Sequence, residues 1–139
     1  MEIILDSNIL FSALIKDSYI RQIILEYEGY FLFPTYIFEE LERHKTELIS
    51  KSGLSKLDFE FLLSLILTRV KLVSPELLET NKLEALEIAK SINDLDDLLF
   101  IACALTYSDS AIWSNDKDLK RQSKVKVMDT KEFLIFLQK

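Results

Sequence analysis

The sequence predicts an α/β fold in which a parallel sheet of about five short strands carries helices on both faces. Short apolar runs alternate along the chain with longer segments whose apolar residues recur at helical spacing. No internal repeat and no low-complexity linker interrupts this alternation. The chain has 139 residues and a mass of 16.2 kDa, so we expect residues 1–139 to form a single domain.

Five short apolar runs are expected to form the strands. They cover residues 1–5, 30–33, 70–73, 111–113 and 125–127. Because helical segments separate most of these runs, neighbouring strands should run parallel. In such a sheet a binding site is expected at the carboxyl ends of the strands.

Helical spacing predicts two helices between the first and second strands, with a break near residues 16–18. Gly29 is expected to end the second of these helices. After the next strand, which Pro34 closes, Thr35 is expected to cap a helix that Gly53 ends.

Four further helices are predicted in the rest of the chain. Ser55 is expected to cap a helix that runs to residue 67, and Pro75 to start one that reaches about residue 90. Residues 98–105 are apolar at nearly every position, which predicts a helix buried on all sides at the centre of the fold. The last helix, over residues 130–138, is expected to pack through Phe133, Ile135, Phe136 and Leu137.

Composition excludes several classes of protein. Only two glycines are present, so the chain contains neither of the common glycine-built nucleotide-phosphate loops. The single cysteine forbids an intrachain disulfide, and the start of the chain does not resemble a signal peptide, so we expect a cytoplasmic protein. No apolar run is long enough to cross a membrane. The net charge of -6 argues against a polyanionic partner, unless several acids surround metal ions.

Acidic residues fall where the carboxyl edge of the sheet is expected. They are Asp6 after the first strand, Glu39 and Glu40 in the helix after the second, Asp94, Asp96 and Asp97 before the buried helix, and Asp116 and Asp118 after the fourth strand. Each alone can be a helix cap, a turn residue or a solvated side chain. Together they would repel one another unless a cation lay among them. A Mg²⁺ or Mn²⁺ site is therefore predicted, because hard oxygen ligands select these ions.

Four ordered segments also resemble the motifs of the PIN-domain nucleases. Residues 6–8, Asp-Ser-Asn, resemble the family's opening motif, and residues 34–41 resemble its second segment, which ends in Glu-Leu. Residues 97–105 resemble its buried helix with a leading Asp. Residues 113–118 resemble its Thr/Ser-Asn-Asp motif, with Ser114 where Thr is commoner. The four segments extend over the whole chain.

This resemblance implies an α/β/α sandwich and a metal-dependent endoribonuclease, similar to the toxin of VapBC-type toxin-antitoxin pairs. The ligands that it implies are Asp6, Glu40, Asp97 and Asp116, with Asp118 as a supporting acid. It further implies a homodimer, a possibility that the apolar residues of the predicted helix around 59–67 also favour. An antitoxin partner is possible but is not indicated by the residues themselves.

Individual roles can be assigned within these motifs. The neutral side chains of Asn8 and Ser114 are expected to orient ligands or water, although either can simply cap or pack. Asp97 is expected to be the ligand and Asp96 the helix-entry acid, because Asp97 shares a helix column with the buried residue Phe100.

A basic run follows the fourth predicted strand and is the first candidate for RNA binding. Its members are Lys117, Lys120, Arg121 and Lys124, followed by Lys126. The run can equally be a solvated charged turn. Arg43, His44 and Lys45 form a second, weaker candidate, in which His44 reads as a lone surface histidine because no HExxH motif is present.

Three other functions remain open at this point. A phosphatase of the haloacid dehalogenase type also places an Asp after its first strand, but this chain has Asn8 where such an enzyme needs a second Asp. A receiver domain would need a phosphoacceptor after the third strand, where the chain has Ser74 and Pro75. A PIN-like module that binds without cutting is the non-enzymatic alternative.

Overall fold

The computed structural model describes residues 1–15 and 19–139, and the break predicted near residues 16–18 lies outside them. Within the described residues, five strands form one sheet, all in parallel pairs: β1 (Glu2–Leu5), β2 (Phe31–Pro34), β3 (Val70–Val73), β4 (Ser110–Trp113) and β5 (Val127–Met128). The order across the sheet is β3-β2-β1-β4-β5. The predicted α/β fold with a parallel sheet is thus confirmed.

Helices connect the strands. In the described residues they are α1 (Ser7–Ile15), α2 (Tyr19–Glu26), α3 (Ile37–Ser52), α4 (Lys56–Leu67), α5 (Pro75–Leu78), α6 (Lys82–Ser91), α7 (Leu98–Thr106) and α8 (Thr130–Leu137). Three single-turn 3-10 segments lie at Glu79–Asn81, Leu95–Asp97 and Leu119–Arg121. In the part of the chain that the structure describes, no helix is long and apolar enough to span a membrane.

The helix α7 lies at the centre of the fold, as its apolar sequence predicts. It packs against β1, β2 and β4, and its middle residues, from Phe100 to Ala104, are buried. The ring of Phe100 meets that of Phe33 edge to face, with 5.3 Å between the centroids. This packing holds the start of α7 at the carboxyl edge of the sheet.

The order of the strands changes direction at β1, because β2 and β3 lie on one side of it and β4 and β5 lie on the other. The strand β1 pairs with β2 on one side and with β4 on the other, and Leu5 stands beside Trp113. The residues that follow, Asp6 and Ser114, therefore leave the sheet side by side. A crevice at this point is the usual ligand site of open parallel sheets.

Local sequence signals correctly predicted the end of α3 and the cap of α4. The predicted cap of α3 and the predicted end of α2 are wrong. Gly53 ends α3 in the left-handed conformation, and Ser55 caps α4 by accepting the backbone N–H of Asp58. Thr35 caps nothing, because its N–H donates to Val73 O and prolongs the pairing of β2 with β3. The helix α2 ends at Glu26, before Gly29.

Three later elements also differ from the prediction. The helix expected from Pro75 to about residue 90 is divided into α5 and α6 by a 3-10 turn, where the Asn81 side chain donates to Thr106 Oγ1. The last strand begins at Val127 rather than at residue 125, because the Gln122 side chain holds the preceding backbone in a turn. In α8, Phe133 is buried and Phe136 half-buried, whereas Ile135 and Leu137 are exposed.

Candidate metal centre

Asp6 is buried at the end of β1, with only 3% of its surface exposed. Its carboxylate accepts the Ser114 hydroxyl at 2.5 Å and the backbone N–H groups of Ser7 and Asn8 at the start of α1. Burial raises the pKa of Asp6, and the charge of Asp116 acts in the same direction, whereas the bond from Ser114 opposes them. Asp6 therefore acts as a helix-entry acid and also presents a buried carboxyl group at the crevice.

Ser114 connects the acids that follow β1 and β4. Its hydroxyl donates to Asp6 and accepts the backbone N–H of Asp116 at 3.0 Å. It is completely buried. Because both bonds use one oxygen atom, Ser114 holds the loop after β4 at a set distance from the end of β1, which agrees with the orienting role that the sequence suggests.

Asp97 is buried at the start of α7, and one of its oxygen atoms has no partner among the described residues. Only 6% of the residue is exposed, and Oδ2 is the atom without a hydrogen bond. Burial, together with Asp94 and the charge of Asp6, raises the pKa of Asp97 to about 9. The neighbouring Asp96 is exposed, so the structure separates the two acids in the way the helix column predicts.

Asp94 lies with the expected ligands, although the family resemblance did not name it as one. One carboxylate oxygen from each of Asp94, Asp97 and Asp116 lies within 4.8 Å of the others. Asn93, in the left-handed conformation at φ 58°, ends the preceding helix and turns the chain so that Asp94 faces the site. The spacing of Asp94 and Asp97, three residues apart, could have indicated a shared face.

Glu40 approaches from the opposite side, on the first turns of α3. It lines the same cleft as Asp6 and Asp97 but is not one of the three grouped acids. Its carboxylate lies 3.3 Å from His44 Nε2 and 3.6 Å from Arg43 Nη1. The carboxylate of Glu40 therefore has basic neighbours, whereas the grouped aspartates have no Lys or Arg ion-pair partner in the described ranges.

The other two residues named from the motifs contribute through the backbone. Asp118 is half exposed, its carboxylate faces Arg121 at 3.8 Å, and its N–H donates to Asp116 Oδ1 at 2.9 Å. Its carboxylate does not join the three-acid group. The side chain of Asn8 is exposed at the rim of the cleft, and its backbone N–H donates to Asp6.

The basic run after β4 is dispersed by the fold. Lys120 forms ion pairs with Asp129 and Glu132 at the start of α8, and Arg121 donates to the carbonyl of Ile92. Lys124 precedes β5 at the amino end of the sheet and lines a pocket there with Asp109, so the run does not gather beside the acids. Lys117 is exposed after β4.

The donor set fits a hard divalent cation. Every group that converges on the start of α7 is a carboxylate, and no sulfur or imidazole belongs to the group. The partnerless Asp97 Oδ2 is a buried acceptor that such an ion would satisfy. Burial, followed by the neighbouring carboxylates, raises the pKa values of Asp6, Asp94 and Asp97, so these acids are costly to keep as anions without such an ion.

Comparison with curated proteins and with solved structures gives no significant match. Comparison with protein families matches residues 4–137 to the PIN domain, a span that contains all the acids described above. PIN domains are generally nucleases that bind RNA and use divalent metal ions. On this match, which extends over nearly the whole chain, the protein belongs to the PIN domain family.

Proposed function

We propose that the chain is a metal-dependent endoribonuclease that hydrolyses RNA phosphodiester bonds at the carboxyl edge of its sheet. The observation that carries the proposal is the buried Asp97 carboxylate, which lies beside Asp94 and Asp116 and has one oxygen, Oδ2, without a hydrogen-bond partner. Buried carboxylates without cationic partners are costly unless they bind a metal ion or remain protonated. A metal ion bound here would offset this cost and satisfy the unpartnered Asp97 oxygen.

The residues of the site would have two kinds of role, metal binding and positioning of the ligands. Asp94, Asp97 and Asp116 would hold Mg²⁺ or Mn²⁺ together with Asp6, and Glu40 would complete the site from α3. A bound ion would activate water for in-line attack on a phosphodiester and stabilise the leaving oxygen. Ser114 positions Asp6 and the backbone of Asp116, while Arg43 and His44 hold the Glu40 carboxylate.

Cleavage assays on labelled oligonucleotides test this function. We expect single-stranded or looped RNA to be cut in Mg²⁺ or Mn²⁺, cutting to stop in EDTA, and activity to return when the ion is added back in excess. Single-stranded DNA of the same sequence and p-nitrophenyl phosphate are the controls for a general nuclease and for a phosphatase. Undiminished RNA cutting in EDTA, or hydrolysis of the phosphate ester alone, would reject the proposal.

A toxin role is proposed on the resemblance of the sequence motifs. Induced expression in a bacterial host is expected to arrest growth, and expression of Asp97→Asn at the same level is not. Growth arrest by both forms would show an effect that is independent of the metal centre. A gene next to this one whose product relieves the arrest would supply the antitoxin.

A homodimer is proposed on the outer face of α4. Leu57, Phe61 and Leu65 recur at intervals of four residues on this face, and all three are exposed. Light scattering at micromolar concentration is expected to give twice the mass of the chain. The double variant Leu57→Gln with Phe61→Gln should give the monomer mass, and a monomer before any substitution would reject the dimer.

A further inference from the structure

The cleft that contains the carboxylates continues between α1 and α3. It has a volume of about 640 Å³, and its α3 wall is formed by Glu40, Arg43, His44, Glu47, Leu48 and Lys51. These positions lie on one face of the helix, because they are spaced by three or four residues. From Glu40 to Lys51 the wall is roughly 16 Å long, at ~1.5 Å per residue.

The cations of this wall are paired only weakly. Lys51 lies 2.7 Å from Glu47, and both side chains are more than half exposed. Arg43 is also exposed and lies 3.6 Å from Glu40. Exposed ion pairs contribute little to stability, so a phosphate group can replace Glu47 as the partner of Lys51 at small cost, and the exposed guanidinium of Arg43 can contact a phosphate while it stays near Glu40.

The opposite wall of the cleft, on α1, contributes an aromatic surface. The ring of Phe11 on α1 is tilted against that of His44 on α3, with 5.5 Å between centroids and an angle of 59° between the planes. Phe11 is half-buried against the core and also lines the cleft, so its ring is held in place. Fixed aromatic rings beside cations are the usual means by which proteins bind single-stranded nucleic acid.

The cations that the sequence first indicated are less suited to this task. Lys120 and Arg121 are engaged in bonds within the chain, and Lys124 lies at the other end of the sheet from the acids. A strand held at Lys124 would not pass over the carboxylates. The α1–α3 cleft, in contrast, opens directly onto Asp6 and Asp97.

We infer that the α1–α3 cleft is the path of the substrate, a single-stranded RNA segment. Arg43 and Lys51 contact its phosphates, and the Phe11–His44 ring pair stacks against one base beside the scissile bond. This inference rests on the proposed function and adds to it the route of the substrate and the residues that contact it.

Binding measurements on an uncut complex test the phosphate contacts. In the Asp97→Asn background, fluorescence anisotropy with a labelled single-stranded RNA measures affinity as a function of salt. Lys51→Ala is expected to weaken binding severalfold and to reduce the slope of log K against log salt by about 0.7, the value for one lost phosphate contact. Lys90→Ala is the matched control, since Lys90 is also an exposed lysine in the last turn of a helix.

A gain of affinity provides a test that misfolding cannot imitate. Glu47→Gln keeps the size of the side chain, frees Lys51 from its partner and removes a negative charge from the cleft. We expect this variant to bind the RNA more tightly than its parent, with the difference shrinking at high salt. Unchanged or weaker binding would contradict the assignment of Lys51.

The base contact is tested separately by Phe11→Leu, which keeps an apolar side chain against the core. Loss of one stacked base is expected to weaken binding about fivefold or more, with no change in the salt slope because stacking is not ionic. A fall in the salt slope without a loss at high salt would contradict a stacking role.

The outcomes separate this inference from the function on which it rests. If the unsubstituted chain cuts RNA but Lys51→Ala and Glu47→Gln bind it like their parent, the path is wrong and the nuclease stands. Weakened binding by Lys117→Ala with Lys124→Ala, and not by Lys51→Ala, would move the path to the other basic run. A cleft that adds nothing to RNA affinity would point instead to a protein partner there. No cutting of any RNA would reject the function itself.

Discussion

The floor of the cleft, formed by Asp6 and Asp97, and its α3 wall both contain carboxylates, but the groups around these carboxylates differ. On the floor, Asp97 is buried without a cationic partner, and its pKa rises to about 9. On the wall, Glu47 is exposed beside Lys51, and this neighbour lowers the pKa of Glu47 below its usual value. The same chemical group is thus destabilised as an anion in one place and stabilised in the other.

The difference lies in hydration and in the availability of partners. Buried acids lose water and repel one another, so the floor is suited to a divalent cation that can stay bound. Exposed ion pairs exchange partners with little change in free energy, so the wall is suited to a ligand that comes and goes. Metal and substrate would therefore be held by two parts of one cleft, the first with buried, unpaired acids and the second with exposed ion pairs.

Asp97→Asn should have the largest effect on RNA cleavage. An unchanged cleavage rate would contradict the assignment of the floor to metal binding. Loss of a metal ligand removes several kcal/mol of transition-state stabilisation, so we expect cleavage to fall by about a hundredfold or more. Asp96→Asn is the matched control, because Asp96 is the adjacent exposed acid, and it should cut RNA normally. If the control loses activity and Asp97→Asn does not, the two assignments are reversed.

Asp116→Asn should abolish most cleavage while leaving the metal-free fold intact. Asn retains the Oδ1 atom that accepts the N–H of Asp118, and it removes one charge from the group of acids. In EDTA we expect a melting temperature no lower than that of the unsubstituted chain, and in Mn²⁺ a smaller rise. A much lower melting temperature in EDTA would show that Asp116 serves the turn rather than a metal ion.

The pH dependence of stability should reveal the raised pKa of Asp97 on the floor of the cleft. The pKa of Asp97 is raised from its usual value of 3.8 to about 9, so between these values the folded state binds its proton more tightly than the unfolded state. The metal-free protein therefore loses this stabilisation as pH rises through that range. We expect its melting temperature in EDTA to fall relative to that of Asp97→Asn. A difference that does not change with pH would contradict the raised pKa.

Ser114→Ala should have the smallest effect of the four. It removes the donor to Asp6 and the acceptor for the Asp116 N–H, at a cost of about 1–3 kcal/mol for the buried groups left unpaired. Metal affinity, measured by titration with Mn²⁺, should fall by roughly 10- to 100-fold, as for other residues that orient ligands. Ser123→Ala changes an exposed serine on the opposite edge and should alter neither quantity.

Predictions from the sequence held where the signal was local. The Ser55 cap, the Gly53 helix end and the apolar run of α7 each depend on a few adjacent residues, and the structure confirms them. The division of the helix after Pro75 was missed, because the partner of Asn81 is Thr106, far along the chain. The basic run was misplaced for the same reason, since Lys120 pairs with Asp129 and Glu132.

The candidate site was partly predictable because strand ends meet at one edge of a parallel sheet. Asp6 and Asp116 followed from that rule, and the structure brings them close enough for the charge of Asp116 to raise the pKa of Asp6. The rule did not predict Asp94 as a ligand, because an acid before a helix is equally typical of a helix cap. Its place in the group depends on the left-handed Asn93 and on the packing of α7.

The sequence by itself determined the alternation of strands and helices, the buried central helix and the segments that supply the acids. These properties follow from the spacing of apolar residues and from residues that start or end helices, which act over one or two turns. The tertiary structure decided which acids are buried together, which cations remain available and where the cleft runs. Hydration and charge pairing depend on neighbours brought from distant parts of the chain, so only the folded protein sets them.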